Sequence, residues 1–462
     1  MVQYNRRQFM KQSSIAAGLT VVGPGAIRSY AANDKLNVAM VGASGKATVH
    51  VSNAVNENIV ALCDVDAGLI ASARKRFNIT GGKDFSDYRE MFDKVKDIDA
   101  VFVTTPDHNH FPASMLAIAA GAGVYTEKPM THSVWEARRL TEYAAEKGVA
   151  TQMGNQGTSG EYWRLLCEYI WADKLGEIRE VDTFTNRPIW PQGMDRPKGE
   201  DKIPDDLNWD AWIGPAPMRP FIGGPGGGSK KSRGPYHQFN WRGWQDFGTG
   251  ALGDMACHIM AGANWALKLG EADYVEIEAE SGPVNNESFP AWATIKYKFP
   301  ARGDLPPVTV TWYDGKKGEH PNLPARPEEL EAGRSFSARQ ANVFHGSKAT
   351  MMCGNHGAGL RVIPESKHRE IEKPQPVLER VPGGPNGHQK DFFRYCRDGK
   401  PGSSAFSVAG KLTELVLLGN LVVLSGDSVK YDFKTGQVTN SSKANELIRG
   451  DYRKGWDFSD LS

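Results

Sequence analysis

The chain has 462 residues, enough for two ordinary domains. Its 55 basic and 54 acidic side chains leave a formal charge of +1, so there is no electrostatic reason to expect nucleic acid or an anionic membrane as partner. Five scattered cysteines (Cys63, Cys167, Cys257, Cys353, Cys396) form no CxxC pair and no disulfide framework, and they read as reduced thiols.

Residues 1–32 read as a targeting segment outside the fold. Asn5-Arg6-Arg7-Gln8-Phe9-Met10-Lys11 resembles the twin-arginine export signal, and a mild apolar run, Ile15 to Ile27, follows it. That run is too short and too interrupted by Gly and Pro for a membrane span. No cysteine follows it, so no lipid anchor is expected. Ser29-Tyr30-Ala31 offers a cleavage site. The expectation is export to the periplasm by the twin-arginine machinery; the plainer alternative is a basic tail.

Leu36–Val41 suits a buried parallel strand. Gly42-Ala43-Ser44-Gly45-Lys46-Ala47 then turns into a helix running through Asn53. Such a turn lets a pyrophosphate rest on backbone N–H groups at a helix N-terminus. The pattern is degenerate: Ser44 holds the second glycine position and Ala47 the third. A plain strand–turn–helix is the bland alternative. A second strand, Asn58–Asp64, ends in an acid 22 residues after Gly42, where a carboxylate holds adenosine ribose hydroxyls. An acid there repels a 2′-phosphate, which favours NAD over NADP.

Ala100–Thr105 and Gly123–Thr126 read as further strands, and Val149–Gly154 as another. Ala67–Phe77, Phe111–Ala120 and Val134–Lys147 read as the helices between them. This βα alternation predicts an α/β fold class with a doubly wound parallel sheet over residues 33–155. Thr105, Pro106, the run Asp107 to His110, and Glu127-Lys128-Pro129 all fall at the ligand-binding edge of such a sheet. Gln152, Asn155 and Gln156 follow the last strand; they are candidates for cofactor or substrate contact, with helix capping the equal alternative. His108 and His110 are similar cases, with solvated loop residues as the alternative.

After a strand at Ile178–Thr185 comes an insertion, about Asn186 to Phe247, too long for a simple connection. It is rich in tryptophan and contains a glycine-rich stretch, Gly223 to Gly234. Tryptophan faces stack on sugar C–H surfaces, and Arg and His bind hydroxyls. Some of these aromatics pin the loop and others line a pocket. Arg187, Tyr236 and His237 are the substrate-binding candidates. A helix then runs from Gly250 to Leu269, with Asp254 and His258 on one face. The plain alternatives are a helix hydrogen bond or a core-edge histidine. A divalent metal held by this pair is a weaker one, because spacing supplies no third ligand, so no metal is expected. Tyr274–Ala279, Ala291–Lys298 and Val308–Tyr313 read as strands, and His388–Arg397 and Ser407–Leu424 as helices.

The glycine turn, Thr105-Pro106-Asp107-His108-Asn109-His110, Glu127-Lys128-Pro129 and the Asp-x-x-x-His helix stand in the order and spacing of one family. The chain resembles the glucose–fructose oxidoreductase / inositol dehydrogenase (Gfo/Idh/MocA) family over roughly residues 36 to 430. The resemblance implies a C-terminal α/β domain (residues 156–440) with an open, mainly antiparallel sheet, followed by a tail at 441–462. It also implies homodimers or homotetramers. It places Lys128 beside the nicotinamide and the substrate hydroxyl, and makes the Pro129 bond a cis candidate. Inositol dehydrogenases use Lys, Asp and His where this chain has Lys128, Asp254 and His258. A neutral imidazole takes the hydroxyl proton as hydride leaves, a carboxylate orients it, and an ammonium steadies the developing alkoxide.

The expected cofactor set is therefore Gly42, Ser44, Gly45, Lys46, Ala47, Asp64, Thr105, Pro106, His110, Glu127, Lys128, Pro129 and Gln156. The expected activity is NAD-dependent oxidation of a carbohydrate or cyclitol hydroxyl. An exported enzyme meets little free NAD, so the dinucleotide is expected to stay tightly bound. The alternatives are glycoside cleavage by transient oxidation and elimination, and non-catalytic carbohydrate binding.

Overall fold

The computed structural model of the chain describes residues 35–224, 234–237, 239–336 and 340–461. The N-terminal stretch expected to carry an export signal and the centre of the glycine-rich stretch lie outside the described residues.

The first domain is a six-stranded parallel sheet. Its strands are β1 (Asn37–Val41), β2 (Asn58–Cys63), β3 (Lys83–Phe85), β4 (Ala100–Val103), β5 (Gly123–Thr126) and β6 (Thr151–Met153). They lie in the order β3-β2-β1-β4-β5-β6. The chain thus reverses direction of travel between β1 and β4, and ligands bind beyond strand ends at such a switch point. Every residue of β4 and β5 is buried, as strands covered by helices on both faces must be. The helices are α1 (Ala47–Ala54), α2 (Ala67–Phe77), α3 (Tyr88–Lys94), α4 (His110–Ala119) and α5 (Val134–Lys147). Local chemistry fixes their ends. Asp66 caps α2 by accepting from Gly68 and Leu69 N–H. Ser133 and Glu136 form a reciprocal capping box on α5, and Gly148 closes it in the left-handed conformation.

The second domain is a ten-stranded mixed sheet. Its strands are β7 (Ile178–Thr185), β8 (Tyr274–Ser281), β9 (Trp292–Phe299), β10 (Val308–Lys317), β11 (His320–Pro321), β12 (Gln340–Gly346), β13 (Thr350–Gly354), β14 (Arg361–Ile363), β15 (Val429–Asp432) and β16 (Gln437–Val438). The order is β14-β13-β12-β7-β10-β9-β8-β15-β16, with β11 on β10. Only the β7–β10 pairing is parallel. The helix expected from Gly250 to Leu269 is two: α6 (Gly250–Ile259) and α7 (Ala261–Ala266). The break at Met260 lays Gly262 against Trp163, where a Cβ would come within 2.3 Å of the ring. A long apolar helix, α8 (Phe406–Ser425), passes a length-and-hydropathy test for a membrane span, but 72% of its apolar window is buried inside the protein. It is the core helix joining the two domains, packed on α5, α6 and β8.

The C-terminal segment folds back over the first domain. Trp456 is 2% exposed, with the Arg89 guanidinium 3.7 Å above its ring and Tyr88 edge-on at 5.7 Å. Tyr452 donates to Glu136 at 2.9 Å. Trp456→Ala should therefore cost about 3–5 kcal/mol, read as a fall in the denaturant midpoint.

Candidate active site

The glycine turn opens on a cleft of about 680 Å³ between the domains. Gly42 sits at φ +100°, and a Cβ there would lie 2.6 Å from Thr104 O. Only glycine fits so close to the next strand. At Gly45 a Cβ would meet nothing within 4 Å, so the turn's outer face is open. This shape suits a pyrophosphate at the N-terminus of α1. Gly42, Ser44, Gly45 and Lys46 all line the cleft. Ala47 does not; it is the buried first residue of α1. Its small side chain serves packing instead of ligand contact.

Asp64, also in the cleft, accepts from Ala43 N–H at 2.8 Å and from Asp66 N–H at 3.1 Å. It braces the glycine turn. Burial pushes its carboxyl up to about 6, against the pull of those two N–H groups. A cofactor held by the ionised carboxylate should therefore bind more weakly as pH falls below about 6, by up to about tenfold per unit. Fluorescence titration with NAD between pH 5 and 8 measures this, and Asp64→Asn should flatten the profile.

The insertion roofs this end of the cleft. Asn208 N–H donates to Val65 O at 2.8 Å, and Ala67 N–H to Asp206 O at 3.0 Å. His108 Nδ1–H donates to Phe247 O at 3.1 Å, and its Nε2 accepts from Asn109 Nδ2 at 2.9 Å, the amide that also donates to Trp212 O at 3.1 Å. Burial drives its imidazole down to about 3, so it stays neutral as a pin. Ala211 and Trp212 thereby face Asp64, Val65 and Leu69 across the cleft. Arg453 clamps the roof from outside, donating to Gly214 O at 2.9 Å and Asp210 O at 2.8 Å, and pairing with the Asp210 carboxylate.

At the other end, Lys128 Nζ lies 2.8 Å from Asp254 Oδ1 and 2.7 Å from Asp254 O. The Lys128–Pro129 bond is cis. Pro129 does not line the cleft; its carbonyl meets His110 Nδ1 at 2.7 Å, while His110 Nε2 meets Thr105 O at 2.9 Å. His110 is thus a staple between two strand ends. Thr105, Pro106, His110 and Glu127 line the cleft. Glu127 Oε1 bonds His50 Nε2 at 2.9 Å. Burial would raise this carboxyl, but the His50 hydrogen bond and the Lys46 charge outweigh it and hold it at about 2.

The expected Asp254–His258 pairing does not form. Asp254 Oδ1 is shared by Lys128 and by Arg242 Nε at 3.0 Å. Burial disfavours this carboxylate, yet the two cations hold it well below the usual carboxylate range. His258 lines the cleft and is 8% exposed. Burial first, then the charge of Lys128, push its imidazole well below the usual range, so it is neutral. That is the protonation state a proton acceptor needs.

Of the three insertion candidates, His237 lines the cleft. Tyr236 does not: it is 2% exposed, packed against Trp244 at 5.1 Å and under the Arg219 guanidinium at 5.6 Å. It belongs to an aromatic core that holds the insertion together. Arg187 also lies outside the cleft, its side chain directed to Asn186 Oδ1 at 3.4 Å. Gln156 is not a lining residue either; its Oε1 is buried without a partner among the described residues. Gln152 and Asn155 are tied to the C-terminal half, Gln152 through Ser404 N–H (3.2 Å) and Asn155 through Ser404 Oγ and Cys257 O (3.3 Å).

Arg242 and His356 escaped the sequence reading of the site, and Asp107 was placed at the sheet's ligand-binding edge without a role. Arg242 lies over Trp241 at 4.2 Å, and the run Trp241-Arg242-Gly243-Trp244 just before the Asp254 helix was its available signal. Asp107 accepts from Thr249 Oγ1 at 2.6 Å and faces the cleft. His356 had no local signal. Among the described residues, no group of three or more His, Cys, Asp or Glu is placed to hold a metal ion.

A parallel sheet with a glycine turn at its switch point, closed by a second domain that brings in a cation–carboxylate pair, defines a two-domain dinucleotide-binding α/β protein. Residues 36–155 match the oxidoreductase family's NAD-binding Rossmann fold, and residues 175–305 match its C-terminal alpha/beta domain. The chain belongs to the Gfo/Idh/MocA oxidoreductase family, and its first domain binds NAD.

Among curated relatives, Glycosyl hydrolase family 109 protein 2 of Shewanella sp. (strain ANA-3) is 26% identical over 229 residues, 40% of this chain and 50% of that protein. Inositol 2-dehydrogenase of Salmonella typhimurium (strain LT2) is 29% identical over 90 residues, 20% of this chain and 26% of that protein. The chain therefore spans half or less of these relatives' lengths. Among solved structures, levoglucosan dehydrogenase with NADH superposes at a TM-score of 0.55, with 16% identity over 87% of this chain and 99% of that one. The WlbA dehydrogenase of Bordetella pertussis, with NADH and UDP-GlcNAcA, gives 0.56, with 14% identity over 86% and 98%.

Proposed function

We propose that the protein is an NAD-dependent dehydrogenase of a carbohydrate or cyclitol CH–OH group. The observation that carries this reading is Lys128 in the wall of the cleft that the glycine turn enters, beside the neutral His258 and held 2.8 Å from Asp254, which is not itself a lining residue. Bound NAD supplies a hydride acceptor. Lys128 holds the substrate oxygen and stabilises its developing charge. His258 takes the hydroxyl proton. Asp254, itself held by Arg242, fixes the lysine instead of the imidazole. His237, Phe239, Trp212 and Trp241 line the remaining wall and suit a sugar's C–H faces and hydroxyls.

The roof over the Asp64 end supports a resident dinucleotide. Export through the Arg6-Arg7 signal, into a compartment poor in free NAD, is part of the same proposal. So is assembly into a homodimer or homotetramer. The roof also favours a second reading, redox-neutral glycoside cleavage, because a trapped cofactor must be returned to its starting state. Purified protein should release NAD on mild denaturation, identified by mass spectrometry. Without added NAD, it should show rising absorbance at 340 nm with a panel including myo-inositol and levoglucosan. Release of the phenol from aryl glycosides, with no net reduction, selects the second reading. A bound dinucleotide that never changes redox state with any sugar sinks both.

A further inference from the structure

His356 lies on a short turn, Asn355–Gly357, directly after β13. Its ring meets the ring of His258 edge-on, with centroids 4.6 Å apart and planes at 68°. Its backbone is left-handed, φ +56° and ψ +16°, a region that few residues other than glycine adopt. Such conformations persist only where the surroundings over-determine them. The surroundings here do so. Gly157 lacks a side chain where one would come within 3.0 Å of His356 Cβ, and a Cβ at Gly357 would lie 2.7 Å from Tyr162 Cβ and 2.9 Å from the Trp163 ring. Two neighbouring elements thus leave room for this imidazole at this place.

Each ring carries one nitrogen with no visible use. His258 Nδ1 and His356 Nε2 are both buried, and neither has a hydrogen-bond partner among the described residues. Buried polar atoms of this kind are rare and call for an explanation. Asp254 cannot supply it, because its Oδ1 is already engaged by Lys128 and Arg242. Burial and the nearby charges of Lys46 and Lys128 keep His356 neutral, so its ring retains one acceptor nitrogen.

We propose that His356 is a positioning residue for His258: its Nε2 accepts the Nδ1–H of His258 and so holds the Nε2 lone pair of His258 toward the cleft. The proposal rests on the reading of His258 as proton acceptor. It assigns to an imidazole from the β13 turn the orienting part that a carboxylate plays in other acid–base pairs. The edge-on contact is not itself the hydrogen bond; the two rings must turn out of it for Nδ1–H to meet Nε2. In the reaction the substrate O–H proton passes to His258 Nε2. The Nδ1 proton remains shared with His356, and the imidazolium returns its proton to solvent when product leaves.

The test reads the tautomer and does not require the sugar to be known. Full-length protein labelled with 15N-histidine, loaded with NAD, is compared with His356→Leu and His356→Asn by long-range 1H–15N correlation. His258→Gln assigns its signals. Wild type should show His258 Nδ1 with the shift of a protonated nitrogen and Nε2 with that of a bare one. His356→Asn tolerates the left-handed backbone and keeps an acceptor, so it should preserve that pattern. His356→Leu should lose it, giving averaged or inverted shifts. Turnover on whichever panel sugar reduces NAD should fall in the leucine variant by about 10- to 100-fold in kcat with little change in KM, part of what a positioned proton acceptor supplies. A wild-type His258 protonated on Nε2 overturns the proposal, as does a leucine variant with an unchanged pattern. If the leucine variant does not fold, the wild-type tautomer alone decides. Failure of every sugar to reduce NAD speaks against the enzymatic reading and leaves the tautomer result standing.

Discussion

Lys128→Met is expected to lower turnover by about 10³-fold while leaving the dinucleotide in place. Methionine keeps much of the lysine's length and apolar stem, so the cleft wall should hold its shape. The carboxylate of Asp254 is not orphaned by the change, because Arg242 Nε stays 3.0 Å away. That is why a large loss of rate should come without a large loss of stability; removing one member of an isolated buried pair would cost about 3–5 kcal/mol. The measurement is paired: NAD content by mass spectrometry, and the 340 nm rate with any sugar that the wild type oxidises. Near wild-type turnover in the variant would remove Lys128 from the chemistry. Loss of both NAD and thermal stability would mean that the lysine is structural.

Gly42→Ala should have the largest effect of any single methyl group in the first domain. The added carbon would sit 2.6 Å from Thr104 O at φ +100°, so β1 and β4 must part for it to fit. Backbone strain and displacement together should cost about 3 kcal/mol, and the turn should lose its grip on NAD. Gly45→Ala is the matched control. Its φ of +57° lies in the ordinary left-handed well, and the space around it is open. It should cost about 1 kcal/mol. Thermal unfolding with and without NAD separates the two. Equal destabilisation by both substitutions would show that the close approach to Thr104 is not what selects glycine at position 42.

The Rossmann domain was legible because its signals are local. An apolar run, a turn and an acid at fixed spacing place β1, the glycine turn and Asp64 without reference to the rest of the chain. Lys128, Asp254 and His258 were legible as positions through the family resemblance, and Lys128 and His258 line the cleft, with Asp254 bound to Lys128. Their connections were not legible. Helical spacing puts Asp254 and His258 on one face, but the carboxylate turns to two cations, one of which arrives from the insertion. Arg242, Trp212 and His356 owe their places to long-range packing, which no window of sequence contains. Tyr236 shows the converse error: an aromatic in a functional loop reads equally well as pocket or as core, and only burial decides. The far strands of the second sheet, β12 to β16, are mostly short, so alternation within each is too brief to read, and the pairings that tie them to the rest of the sheet, β12 on β7 and β15 on β8, join distant stretches of chain. Asp254 makes the point: its residue type and place were visible, and its partners were not.

The clamp on the roof has a consequence in time. Arg453 grips Asp210 across 243 residues of intervening chain. A ribosome adding about 5–20 residues per second completes the roof segment about 12 to 50 s before it delivers the clamp. Through that interval the nucleotide cleft stands ungated to the cytosolic pool. Loading can therefore precede closure within the birth of each molecule.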